Sequence, residues 1–248
     1  MNFNNFFIVG AQRSGSTYLS TLLDEHPEIC MAKPTTPEPK YFINKSLYNV
    51  STSEYIKLHF NNPECSSQLY GEKSTSYYEF EESAHLISHL YPFSKIIFIL
   101  RDPVERAFSN YFFSVKNGIE KRTIEDVFLH ETQITPIYDS NLSTNPFDYV
   151  GRGEYKKYID LYLKYFKKEQ IKILIFEETI NNFSMIQGLF KFLNVDENYI
   201  PKSLMLKINE STNKTYIPDK VRQKLKLYFE KTFPQLERFL GRDLNVWR

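Results

Sequence analysis

Apolar residues in this chain gather in short unbroken runs, and between the runs they recur every three or four positions. The clear runs are 6–9 (FFIV), 96–100 (IIFIL) and 171–176 (IKILIF), with weaker ones near 28–32 and 68–72. Runs this short, rich in Ile, Val, Phe and Leu and without alternation, predict strands buried on both faces, as in a parallel sheet. Helical spacing predicts helices over 16–24, 81–91, 104–116, 153–167, 184–193 and 219–231. Strand and helix alternate, so the predicted class is α/β, a central parallel sheet flanked by helices. The segments 33–39 (KPTTPEP) and 132–150, dense in Pro, Thr, Asn and Ser, are predicted loops. Ligands of open parallel sheets sit beyond the carboxyl ends of the strands, and these loops are candidates to line that region.

Length and composition narrow the picture. With 248 residues, no linker and no internal repeat, the chain is expected to form a single domain over 1–248. Lys and Arg number 31 against 30 Asp and Glu, which argues against a general nucleic-acid binder whose affinity rests on a large positive field. Cys30 and Cys65 lie far apart without metal or redox spacing and are expected to be reduced thiols. Gly10 interrupts the first apolar run well short of a membrane span or signal sequence. The expectation is a chain with no membrane span, located in the cytoplasm, of a bacterial type and not excised from a longer protein. Lysines 156, 157, 164, 167 and 168 read as a solvated face. His85 and His89 are four apart on a predicted helix but lack a third ligand, so no metal site is expected.

The strongest chemical signal is Gly10-Ala-Gln-Arg-Ser-Gly-Ser-Thr17, between the first predicted strand and the first predicted helix. Backbone N–H groups at such a turn, together with the positive end of the helix dipole, bind anions. Gly10 and Gly15 keep the spacing of the nucleoside-triphosphate loop, yet Ser16 occupies the position of its lysine and Arg13 enters inside the loop. A triphosphate with its magnesium needs that lysine. A guanidinium fork with hydroxyls suits a different terminal group, bound without metal.

The stretch R-S-G-S-T at 13–17 resembles the 5′-phosphosulfate loop of the sulfotransferases, whose donor is 3′-phosphoadenosine 5′-phosphosulfate (PAPS). Three further stretches resemble the same family. In KIIFILRDPVERAFSNYFF (95–113) a strand ends at Arg101 and a helix carries Ser109, like the pair that binds the donor's 3′-phosphate. YGEKSTSYY (70–78) is similar to the G-E-K-[ST] stretch of glycan sulfotransferases, which makes Lys73 the lysine beside the transferring group. In KPTTPEPKYF (33–42) Glu38 precedes Tyr41-Phe42, like the base of heparan-type sulfotransferases. Residues 151–178 look like the family's R-G-x-Y helix and last strand, and 209–218 (NESTNKTYIP) stands where a Lys and an aromatic close over the nucleotide, here Lys214 and Tyr216.

The resemblance implies a P-loop-like sulfotransferase fold over nearly the whole chain. It implies Glu38, Lys73 and Arg13 as catalytic residues, and Arg13, Ser14, Gly15, Ser16, Thr17, Arg101, Ser109, Lys214 and Tyr216 as donor-binding residues. PAPS would be the co-substrate, with no metal required. The acceptor would be a glycan or other hydroxyl-bearing molecule, or an amine, with no nucleic-acid partner and no membrane span expected. Two other readings stay open on the residues alone: a P-loop nucleotide kinase, and a nucleotide-binding module without catalysis.

Overall fold

Five strands pair in one all-parallel sheet in the computed structural model, which describes residues 4–43, 45–61, 69–130, 145–205 and 216–248. The elements run β1 (Asn5–Gly10), α1 (Ser16–Asp24), β2 (Ile29–Met31), α2 (Thr52–His59), β3 (Leu69–Lys73), α3 (Glu81–Leu90), β4 (Lys95–Leu100), α4 (Pro103–Lys116) and α5 (Ile124–Leu129). They continue with α6 (Tyr155–Leu163), β5 (Ile171–Ile175), α7 (Phe176–Thr179), α8 (Phe183–Leu193), α9 (Asp219–Glu230) and α10 (Phe233–Leu240). All five predicted strands and all six predicted helices are present. The helices missed, α2, α5, α7 and α10, are too short for their periodicity to stand out.

The strand order is β2-β3-β1-β4-β5. The chain leaves β1 toward β2 and leaves β4 toward β5, so its direction reverses between β1 and β4. Parallel sheets of this kind place ligands beyond the carboxyl ends of the strands at that reversal. The loop that follows β1 therefore stands where a ligand is expected.

The chain divides into two compact units, Met1–Leu100 with Tyr158–Leu206, and Arg101–Lys157 with Lys207–Arg248. The first contains the sheet. Successive side chains of a strand point to opposite faces, and the two faces here differ in kind. Phe6, Ile8, Ile97, Ile99 and Leu174 pack with Leu19, Leu22 and Leu23 of α1 and with Ile186, Leu189 and Phe190 of α8 in a largely aliphatic core. Phe7 and Phe98 face an aromatic layer instead. Phe7 meets Phe42 edge-on at 5.8 Å, Phe42 lies 5.0 Å from Tyr55, and Phe98 meets Tyr162 at 5.2 Å. Each such side chain contributes about 1.5–3 kcal/mol by burial, and edge-on pairs add roughly 0.5–1.5 kcal/mol. Cys30 is disulfide-bonded, which corrects the expectation of a reduced thiol; Cys65 lies outside the described residues.

The second unit is helical. Asp102 caps α4, accepting from the backbone N–H of Val104 at 2.8 Å, and Pro103 opens the helix where a missing N–H costs nothing. Arg106 is fully buried and donates to the Tyr149 carbonyl. Glu120 receives Arg122 at 2.6 Å and the Tyr149 hydroxyl at 3.0 Å. Burial pushes the Glu120 carboxyl up, but these donors outweigh it and hold the group below its ordinary value. A depressed carboxylate stabilises the fold above its unfolded pKa and ceases to do so as pH falls through its folded pKa. Glu120→Gln is therefore expected to melt below the wild type at neutral pH, with the gap closing in acid below about pH 4. Melting curves across pH check this, and a gap that widens in acid would contradict it.

Among the described residues, no helix is long and apolar enough to cross a membrane. The lysines expected to form a solvated face are partly engaged: Lys164 pairs with Glu81 at 2.8 Å, and Lys156 lies over the Phe239 ring at 5.5 Å.

Candidate active site

β1 is buried along its whole length and delivers the chain into a tight turn before α1. Within that turn Arg13 has φ 69° and Gly15 φ 88°, both left-handed. Left-handed residues in such a turn swing successive N–H groups toward one concavity, the arrangement that cradles anions. At Gly15 no other residue fits. A Cβ there would come within 2.5 Å of the Phe176 ring, on top of the strain of a positive φ. Gly10 is constrained in the same way, since a Cβ would lie 2.6 Å from Cβ of Tyr78.

The start of α1 is left open. Gly15 is its N-cap, no side chain caps it, and its first turn carries no acid. Its first N–H groups thus keep their positive end for an incoming anion. The Ser14 hydroxyl is fully buried and has no hydrogen-bond partner among the described residues. Buried hydroxyls are almost always satisfied, so this one fits a group that the ligand supplies. Ser16 is buried in the first turn, Thr17 is exposed and Arg13 half-buried. The cradle suits the 5′ end of a phosphorylated donor.

A second constellation stands on the neighbouring strand. β3 pairs with β1 so that Lys73, the last residue of β3, lies opposite Ile8. Lys73 is 7% exposed, and its Nζ lies 3.2 Å from Oε1 of Glu38. Glu38 is anchored further by Thr75, whose N–H donates to Oε2 at 2.8 Å and whose hydroxyl lies 3.0 Å from both carboxylate oxygens. A hydroxyl shared between two oxygens can settle on one and leave a lone pair of the other for an incoming proton. The structure therefore brings Glu38 and Lys73 together, although 35 positions separate them in sequence.

In the second unit, Arg101 leads into the Asp102 cap of α4, and Ser109 is half-buried on that helix. The Tyr155 hydroxyl donates to the Arg101 carbonyl at 2.6 Å, and Tyr155 itself packs 5.8 Å from Trp247. Glu105 is engaged by Arg222, whose guanidinium also lies 5.1 Å from the Phe108 ring. Tyr216 is 79% exposed. Lys214 lies outside the described residues.

Sequence reasoning missed Thr75, which clamps Glu38, and Phe176, which shapes the turn at Gly15. It also missed Glu72, fully buried one position before Lys73. A carboxylate inside a strand with buried neighbours is the signal that could have found it, since such a group survives only with several donors around it.

Residues 5–196 match the family model described as "Sulfotransferase family". The chain is 27% identical over 197 residues to the mouse bifunctional heparan sulfate N-deacetylase/N-sulfotransferase 4, an alignment covering 78% of this chain and 22% of the relative. It is 27% identical over 190 residues to human heparan sulfate glucosamine 3-O-sulfotransferase 5, covering 76% and 52% of the two chains. It thus spans about a fifth to a half of the length of these curated relatives. Among solved structures, a sulfotransferase from Alicyclobacillus acidocaldarius superimposes with a TM-score of 0.78 at 25% identity, covering 99% of this chain and 98% of the other. Mouse sulfotransferase SULT7A1 complexed with PAP has a TM-score of 0.54 at 14% identity, covering 96% and 86%, and speaks for the fold alone.

Proposed function

From the premise that this chain belongs to the sulfotransferase family, we propose that it moves a sulfuryl group from PAPS to a hydroxyl or amine of a carbohydrate, with all 248 residues serving as one catalytic domain. The observation that carries this reading is the pairing of two adjacent strands. β1 ends in an acid-free anion cradle, and β3, in register beside it, ends in the Lys73–Glu38 pair. The kinase alternative is not favoured, because Ser16 stands where a triphosphate site needs lysine.

PAPS supplies an activated sulfuryl group on its 5′-phosphate. The N–H groups and hydroxyls of residues 14–17 hold that phosphate, and the buried Ser14 hydroxyl gains its missing partner there. Glu38 takes the proton from the acceptor as the acceptor's oxygen or nitrogen bonds to sulfur and the bond from sulfur to the bridging oxygen breaks. Arg13 and Lys73 stabilise the charge that builds on that bridging oxygen. Little covalent work falls to the protein, as in phosphoryl transfer, and alignment with charge neutralisation carries the rate. Arg101 and Ser109 take the 3′-phosphate, with Lys214 and Tyr216 assigned to close over the nucleotide. The carbohydrate preference is supported by the heparan sulfate relatives and by a carboxylate in the base position.

Titration with 3′,5′-adenosine bisphosphate and with ATP-Mg tests the donor assignment. The bisphosphate is expected to bind more tightly, and Arg101→Ala to weaken it by about a hundredfold while leaving adenosine 5′-phosphate unaffected. Tighter ATP-Mg binding would overturn the proposal. Labelled PAPS offered with a panel of desulfated glycans tests the transfer, and bisphosphate binding without transfer to any glycan would leave a non-catalytic module.

A further inference from the structure

Glu72 lies at the centre of a buried cluster that the reaction as described does not use. It is 1% exposed, on the aromatic side of the sheet. Two hydroxyls donate to it, Tyr55 at 2.5 Å and Ser74 at 2.6 Å, and the Tyr77 hydroxyl also faces it. Burial pushes its carboxyl up, and these hydrogen bonds partly offset the shift. The phenols of Tyr55 and Tyr77 are driven far up, first by burial and then by the facing carboxylate, so both keep their protons.

The outward sides of two of these hydroxyls are also occupied. Oγ of Ser74 accepts the backbone N–H of Lys40 at 2.9 Å, and the hydroxyl of Tyr77 accepts the backbone N–H of Phe42 at 3.1 Å. A hydroxyl has one proton, so donating inward to Glu72 leaves its lone pairs for the amides. Lys40 and Phe42 are the second and fourth residues after Glu38, in the part of the loop where the chain passes from exposed to buried. The carboxylate thus sets the polarity of the Ser74 hydroxyl, and the Ser74 and Tyr77 hydroxyls hold the backbone that carries Glu38.

We propose that Glu72 is a positioning residue for the reacting pair, fixing residues 40–42 through Ser74 and Tyr77 and so holding Glu38 against Lys73. The inference rests on the assignment of Glu38 as the base. Its placement is economical, because Glu72, Lys73 and Ser74 are consecutive: one strand end supplies the lysine, the tether and the anchor of the tether.

Glu72→Ala would leave the buried Tyr55 and Ser74 hydroxyls without their acceptor and is a poor probe, since it need not fold. Ser74→Ala and Tyr77→Phe each remove one tether and strand no charge. Each is expected to lower kcat by about ten- to a hundredfold with the affinity for 3′,5′-adenosine bisphosphate unchanged, and Ser74→Thr, which restores a hydroxyl, to recover most of the loss. In a Glu38→Gln background the same two substitutions should change kcat by less than about twofold, because the group they position is gone. An unchanged kcat in both single variants, or the same loss in the Glu38→Gln background, would overturn the proposal. Failure of the base assignment reads differently: Glu38→Gln alone would then turn over at the wild-type rate.

Discussion

Glu38→Gln is expected to lower kcat by about two to four orders of magnitude, with the affinity for 3′,5′-adenosine bisphosphate within about twofold of the wild type. The reason lies in what glutamine keeps. With its carbonyl oxygen at the Oε1 position, glutamine can still accept from the Thr75 hydroxyl and from Lys73, which at 7% exposure could not be left without an acceptor at small cost. Its NH2 loses the bond that Oε2 accepts from the Thr75 N–H. The two retained contacts should keep the loop in place while the ability to take a proton is lost. Single-turnover measurement with labelled PAPS separates this from slower product release. A mutant that retains more than about a tenth of wild-type turnover would remove Glu38 from the base role, and Lys73 would then have to be considered alone.

Gly15→Ala is expected to be the most damaging single methyl in the donor half. Two penalties act at that position: a left-handed backbone at φ 88°, and a Cβ placed 2.5 Å from the Phe176 ring. Left-handed strain amounts to about 1–3 kcal/mol, and overpacking of this kind adds roughly 1–3 kcal/mol. For a chain of this size, each kcal/mol is worth about 2–4 °C. Calorimetry should accordingly show a Tm lower by roughly 4–24 °C. Titration should show bisphosphate affinity reduced at least about tenfold, since any relief of the overlap moves the cradle or the start of α1. A variant that melts within about 2 °C of the wild type and binds normally would contradict both the backbone conformation and the contact.

The strands and long helices were legible because their cause is local. A strand buried on both faces must be apolar throughout, and 96–100 can hardly be read otherwise. The short helices α2 and α5 announce themselves only at their starts. The Ser51 side chain accepts from the N–H of Glu54 at 3.2 Å, and that of Thr123 from the N–H of Asp126 at 3.1 Å. The cradle of 10–17 was legible for the same local reason, as glycine spacing and a strand-to-helix transition both lie within one stretch. The meeting of Glu38 with Lys73 was not legible from the chain's own chemistry. It depends on β3 lying beside β1 and on a loop folding back to Thr75, and pairing between strands distant in sequence leaves little trace in either one. Resemblance to other sulfotransferases named both residues, but not the hydrogen bonds that hold them. Glu72 escaped notice because a glutamate before a lysine ordinarily reads as a solvated pair.

The two sides of the sheet differ in how freely they can change. On the α1 and α8 side the packing is by Ile, Leu, Phe and Met, which exchange for one another with small penalties when volume is kept. On the other side Tyr55 and Tyr162 each donate a hydroxyl to a particular acceptor and the Tyr77 hydroxyl accepts the Phe42 N–H, so shape alone does not qualify a replacement. Sequence drift and engineered diversity can therefore run through the first layer, while the second must be inherited nearly as a block.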